Sequence, residues 1–202
     1  MASDYHDYVI RDGQFIGAFE EMYRNVADPW HQSSQPNPYS RMAGILHIQR
    51  TGARSVLECG SGLGYFADQV HRATGIVPQG IDVSPTAVEK ARTNFPHLRF
   101  EVSRVPDDLP KYAGADLVLF AELVWYILPE LERTVQLLRQ HFQGGYLVVD
   151  QVFYKGSQRY GTEYFRDLEG FQRFMGLPVV ASCHATAADE PTIETSTLFR
   201  IP

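Results

Sequence analysis

From residue 54 to residue 153 short apolar runs alternate with helical patterns, and this alternation restricts the fold more than any other feature of the chain. The apolar runs are Ser55–Cys59, Val77–Val83, Arg99–Ser103, Asp116–Glu122 and Tyr146–Phe153. Helical patterns fall between them at 65–73, with Phe66 and Val70 inward, and from Pro85 to about Asn94 behind the N-cap Ser84. A third helix starts at Pro129-Glu130, where Leu131, Val135 and Leu138 share one face. Consecutive parallel strands need crossover helices, and right-handed crossovers place those helices on both faces of the sheet. Two more strands, 177–184 and 195–201, flank a polar stretch and are expected to pair as an antiparallel hairpin at the edge. The prediction is an α/β, Rossmann-like, mostly parallel seven-stranded sheet with an antiparallel C-terminal hairpin. Ahead of it, 13–27 and 39–50 read as helices joined by the proline-rich loop 28–38. We therefore divide the chain into a helical segment and lid, 1–53, and a core, 54–202.

Charge narrows the partners. The 202 residues carry a net charge of −6 and no run of Lys or Arg, so the cation cluster a nucleic-acid binder needs is missing. The two cysteines, Cys59 and Cys183, form no metal-ligand spacing, and no metal is expected. Met1–Ile10 does not read as a secretory leader, and no apolar stretch approaches the ~20 residues that span a bilayer. The expected setting is the cytoplasm, without a membrane, as a monomer or homodimer.

Glu58-Cys59-Gly60-Ser61-Gly62-Leu63-Gly64 follows the first core strand and precedes a helix. Glycines at such a turn let backbone approach a ligand closely, and the helix start offers free N–H groups. A dinucleotide fingerprint would place a glycine where Tyr65 stands, which counts against a nucleotide- or NAD-dependent oxidoreductase on the same kind of sheet. Glu58 would also repel a pyrophosphate, whereas it attracts a cation. Asp82 ends the second strand, where a carboxylate can accept both hydroxyls of a ribose. A cationic nucleoside meets both conditions.

This set resembles the class I S-adenosylmethionine-dependent methyltransferases: Glu-x-Gly-x-Gly-x-Gly, Asp82, and Asp116-Leu-Val-Leu-Phe-Ala-Glu122 at the fourth strand. The resemblance covers about 54–150 and implies roles position by position. Glu58, Gly60, Ser61, Gly62 and Gly64 would surround the methionine portion of the cofactor S-adenosylmethionine, and Asp82 its ribose. Ile81 and Val83 would lie near the adenine, with Ser103, Arg104 and Val105 along its edge. Ala121 and Glu122 would line the site near the methyl. The family often carries an Asp just after the third strand, and Ser103-Arg104-Val105 departs from that. A narrower similarity, to the nodulation protein S type of methyltransferase, rests on Met22-Tyr23, Ala27-Asp28-Pro29-Trp30, Pro38-Tyr39 and Arg41. It implies a small polar acceptor, a saccharide or glycan-linked molecule, methylated at O or N. A binding protein without turnover is the remaining alternative.

Glu122 ends an apolar strand at the ligand-binding edge, so it reads either as the functional carboxylate or as an anchor for 123–129. Trp125 and Tyr126 read as an acceptor wall or as core. Trp30, His31, Tyr39 and Arg41 belong to the expected lid, with Trp30 and His31 facing the acceptor and Tyr39 and Arg41 reaching the methionine carboxylate. Tyr154 and Tyr160 lie in an aromatic stretch that offers a stacking platform or packs a short helix. His184 is expected at the same rim, catalytic or structural. The serines and threonines of 186–197 read as loop polarity.

Overall fold

A computed structural model describes residues 7–11, 14–34, 38–156 and 158–202. Its centre is one seven-stranded sheet built from β3 (Val56–Cys59), β4 (Gln79–Asp82), β5 (Arg99–Val102), β6 (Leu117–Ala121), β7 (Tyr146–Tyr154), β8 (Val179–Thr186) and β9 (Thr192–Arg200). The order is β5-β4-β3-β6-β7-β9-β8, with the first five parallel and β9 antiparallel to both neighbours. The expected architecture and C-terminal hairpin are both present. Strand order reverses between β3 and β6, and ligands of open α/β sheets bind beyond the carboxyl ends at such a point.

Side-chain alternation gives the sheet two unlike faces. Val56, Leu117, Leu119, Val148 and Leu198 meet Ile48 of α2 (Tyr39–Thr51) and Phe66 and Val70 of α3 (Tyr65–Thr74). Leu57, Val118, Phe120, Val149 and Phe199 meet α5 (Leu131–His141) and α6 (Leu168–Met175) on the other face. The helix α4 (Pro85–Asn94) joins α3 over β5 through Val88, Ala91 and Phe100, and Ser84 caps it by accepting the Ala87 N–H at 3.1 Å. The reading of 153–165 did not find α6. Its signals were Asp167, which caps Gly170 N–H at 2.7 Å, and Gly176 in the left-handed C-cap.

The first helix is shorter than its periodicity predicts. Ile10–Arg11 (β1) and Gln14–Phe15 (β2) pair as a small hairpin, and α1 covers only Phe19–Asn25. Gly17, at φ +71°, turns the chain between them, so Phe15 and Ile16 face outward instead of continuing a helical stripe. Gly13 and Pro36, which entered the helix and loop readings, and residues 1–6 of the N-terminal reading lie outside the described residues. Glu20 pins α1 to the start of α4, accepting bonds from Ser84 Oγ (2.6 Å), Thr86 N–H (3.1 Å) and Thr86 Oγ1 (2.8 Å). Lys90 returns from α4 to the Tyr23 and Val26 carbonyls. The N-terminal segment is thereby fastened above the carboxyl end of β4. No helix among the described residues is long and apolar enough to cross a membrane.

Candidate active site

The glycine loop is stitched to β4. Gly60 and Ser61 N–H groups both donate to the Ile81 carbonyl, at 2.8 and 3.0 Å. Asp82 accepts from Gly62 N–H at 2.9 Å and Ser84 N–H at 2.9 Å, so one carboxylate holds the glycine loop and the start of α4 together. Burial raises the Asp82 carboxyl above the ordinary range, against these backbone bonds. Gly62 sits at φ +53°, and a β-carbon there would stand 2.8 Å from the Tyr23 hydroxyl and 3.0 Å from Gln32 Oε1. Gln32 Oε1 itself accepts the Leu63 N–H at 3.0 Å, and Trp30 Nε1 donates to the Tyr23 hydroxyl at 2.9 Å. The N-terminal segment thus touches the glycine loop through Tyr23 and Gln32. Gln32 escaped the sequence reading, because nothing local marks one glutamine in a polar loop as the partner of a turn 31 residues away.

Not every loop residue faces open space. A β-carbon on Gly64 would come within 2.6 Å of the Phe100 ring, so this glycine makes room for packing and opens α3 at φ +84°. Ser61 is buried, with its hydroxyl unpartnered. Beyond Asp82 the surface turns apolar: Val83 is 41% and Val102 46% exposed, while Ile81 is wholly buried in the core. The Ser103 hydroxyl and the Arg104 N–H both donate to Asp108 Oδ2, at 3.0 and 2.8 Å, so their protons are committed within this turn. Those two bonds and Lys111 hold the Asp108 carboxyl at about 2. Val105 packs against the core.

On the α2 face the carboxyl ends of three strands converge. Glu58 (β3) is buried with Oε2 unpartnered; burial pushes its carboxyl up to about 8, with Arg41 opposing and Asp82 adding to the rise. Glu122, just past β6, is half-buried and holds a left-handed backbone at φ +58°, a strained state for a side chain of its size. Desolvation raises its carboxyl to about 8, opposed by the Val152 N–H and Arg41. Asp150 in the middle of β7 is 1% exposed; Oδ1 accepts from Ser196 Oγ, and Oδ2 has no partner. Arg41 rises from α2 with its guanidinium 5.3 Å from the Phe66 ring centre and one Nη1 buried without a hydrogen bond. Glu194 on β9 anchors the start of α2 by accepting Ser40 N–H (2.9 Å) and Oγ (3.0 Å).

Asp150, Ser196 and Glu194 were missing from the sequence reading, and 195–197 is buried strand, not polar loop. Strand alternation is the reason: Ser196 and Glu194 face inward toward α2. The same alternation separates His184 from this cluster. It pairs with Thr195, one step out of phase with Ser196 and Glu194, so it faces the α6 side near the exposed edge. There it lines a cavity of about 800 Å³ together with Phe153, Tyr154, Arg166 and Ile193. His184 thus shares a rim with Tyr154 and lies on the sheet face opposite Asp150 and Ser196.

Trp125 belongs to the core: Nε1 donates to the Val152 carbonyl at 3.0 Å and the ring meets Phe153 and Phe165. Tyr160 packs against the same cluster. Tyr126 instead points toward the lid, 5.6 Å from the Trp30 ring and 5.5 Å from Phe19. Tyr39 is 60% exposed and His31 is exposed at φ +52°, so neither has a place in the cluster. Ala121 pairs with Asp150 beside Glu122.

Residues 56–145 match the family model described as a methyltransferase domain. That match covers 90 of the 202 residues. Three solved structures share the fold. The N-methyltransferase NodS from Bradyrhizobium japonicum, in complex with S-adenosyl-L-homocysteine, is 19% identical with a TM-score of 0.66, over 91% of this chain and 97% of that one. A TehB-like SAM-dependent methyltransferase from Corynebacterium glutamicum is 17% identical with a TM-score of 0.64, over 90% and 99%. Geranyl diphosphate C-methyltransferase from Streptomyces coelicolor is 12% identical with a TM-score of 0.60, over 80% and 76%. No curated protein matches the chain in sequence.

Proposed function

We propose that this methyltransferase methylates an amine nitrogen of a small polar acceptor, with Glu122 as the group that takes the acceptor's proton. The observation that carries this reading is Glu122 itself: a strained left-handed residue at the carboxyl end of β6, its carboxyl raised by burial to about 8. Strain of this kind is retained where a side chain must be aimed. A carboxylate with such a value is a competent proton acceptor near neutral pH.

The residues present fit the cofactor. Gly62 keeps a side chain out of the gap beneath Tyr23 and Gln32, and the buried Glu58 Oε2 and Arg41 Nη1 are left for partners of opposite charge. Glu58 would hold the amino group, Arg41 the carboxylate and Asp82 the ribose, with Val83 and Val102 as an apolar shelf for the adenine. When bound, the cofactor supplies an electrophilic methyl on a sulfonium. The lid residues Tyr23, Trp30 and Gln32 exclude water, and Tyr126 with Trp30 offers an aromatic wall to the acceptor. Glu122 would accept the proton that the acceptor nitrogen gives up when it is methylated. Alignment accounts for most of the acceleration, up to ~7–11 kcal/mol in favourable systems.

A saccharide-borne amine is the first acceptor class to test, because a sugar ring's C–H face suits an aromatic wall. The assay follows formation of S-adenosylhomocysteine across a panel of amines and their hydroxyl analogues. Amines should turn over and hydroxyl analogues lag far behind. Glu122→Gln should lower kcat about 10²–10⁴-fold. Equal rates for hydroxyl analogues, or a variant with unchanged kcat, would reject the assignment.

A further inference from the structure

Asp150 has no place in the readings above, yet it is as deeply enclosed on the α2 face as Glu58. Gly44 of α2 lies directly over it: a β-carbon there would stand 2.4 Å from Oδ2. Ser196 holds the other oxygen. The helix therefore sits down on a carboxylate that keeps one oxygen unpartnered. Asp150 feels the charges of Glu122, Arg41 and Glu58, so the four groups share one buried region. Three acids against one guanidinium leave an excess of negative charge that a low-dielectric site cannot hold in full.

The charged and titratable groups around the cluster do not relieve that excess. From α2 come Arg41 and His47, and burial lowers the His47 value, favouring the neutral ring. Asp82 approaches Glu58 from β4, and Glu194 approaches Glu122 from β9. Cys183 on β8 faces Asp150, its thiol pushed up by burial. Arg41 remains the cation that faces all three acids. Part of the cluster must carry protons in the free enzyme.

We propose that Asp150 is a specificity-determining residue of the cofactor site: with Glu58 and Glu122 it forms a three-carboxylate cluster that releases a proton to solvent when the sulfonium cofactor binds and regains it with the neutral product. This rests on the cofactor placement given above. The cofactor's methionine end carries one ammonium, one carboxylate and the sulfonium, so it brings one net positive charge. The demethylated product keeps the first two and brings none. A carboxyl O–H breaks as the positive charge arrives, and its proton goes to water. Product binding leaves that proton in place, so the acidic cluster favours the substrate form over the product.

Calorimetry with S-adenosylmethionine and with S-adenosylhomocysteine, each at pH 7.5 in phosphate and in Tris, reads the proton count directly. The sulfonium ligand should release close to one proton and the product clearly fewer. Asp150→Asn keeps an oxygen for Ser196; it should reduce the release and shrink the preference for the sulfonium ligand roughly tenfold, the scale of one lost charge interaction in a partly buried site. In the wild type the affinity ratio of the two ligands should rise from pH 6.5 to 8.5, a readout that survives if the variant does not fold. Equal proton counts for the two ligands, or a pH-independent ratio, would overturn the proposal while leaving the cofactor placement standing. Failure of both ligands to bind the folded protein would remove that placement and the proposal together.

Discussion

Glu58 shows how one residue's chemistry sets stability against binding. Its carboxyl is raised from an ordinary value of 4.5 to about 8 by burial, so the folded enzyme holds a proton there that the unfolded chain gives up above pH 4.5. The folded state binds more protons throughout that window, and free-enzyme stability from this group falls as pH rises from 4.5 to about 8. Glu122 adds a second contribution of the same sign. Glu58→Gln should therefore flatten the decline of Tm with pH in the ligand-free protein and make it more stable at pH 8. The same change should weaken S-adenosylmethionine binding. Denaturation scans at pH 5 and pH 8 with and without ligand test both halves, and an unchanged slope would count against a buried proton at Glu58.

At the level of elements, two helices close the site by different means. Glu20 carries α1 onto the first turn of α4, and its hydrogen bonds to Ser84 and Thr86, offset in part by desolvation, hold its carboxyl at about 2. Here the folded value is depressed, so the contribution is complete above pH 4.5 and is lost as pH falls toward 2. Glu20→Gln should lower Tm at pH 7 and match the wild type near pH 2; the side chain is about one-third exposed (32%), which keeps the effect modest. For α2 the device is a missing side chain. Gly44→Ala places a methyl on Asp150, and lifting the helix or displacing the carboxylate should cost about 1–3 kcal/mol in chemical denaturation. A neutral outcome would mean that α2 is not seated as closely as the 2.4 Å approach requires.

For the whole molecule the sheet, the lid and the cluster form one ligand-linked unit. A ligand that binds only the folded state at a hundred times its Kd adds about 2.7 kcal/mol. For a chain of this length that amounts to roughly 5–10 °C in Tm. S-adenosylmethionine should produce such a shift, and NADH none. The alternation of strands and helices from 54 to 153, and the hairpin after it, was legible because the central strands β3, β6 and β7 carry apolar runs bounded by turns. The first helix was not, because Phe15 and Ile16 keep helical spacing while Gly17 breaks the chain behind them.

What the amino-acid order determined by itself is local: a glycine turn behind a strand, an acid before it, an acid at the next strand's end, and hence the resemblance to class I methyltransferases. Those signals lie within about 25 residues of one another and need only strand–turn–helix geometry to be read. Tertiary structure alone decided the rest. It set Asp150, Ser196 and Glu194 beneath α2, put His184 on the opposite face, and gave Gln32 to the glycine loop. The physical reason is that β9 enters antiparallel between β7 and β8. Its register, invisible in a short window, chooses which alternate side chains join the buried carboxylates and which face away.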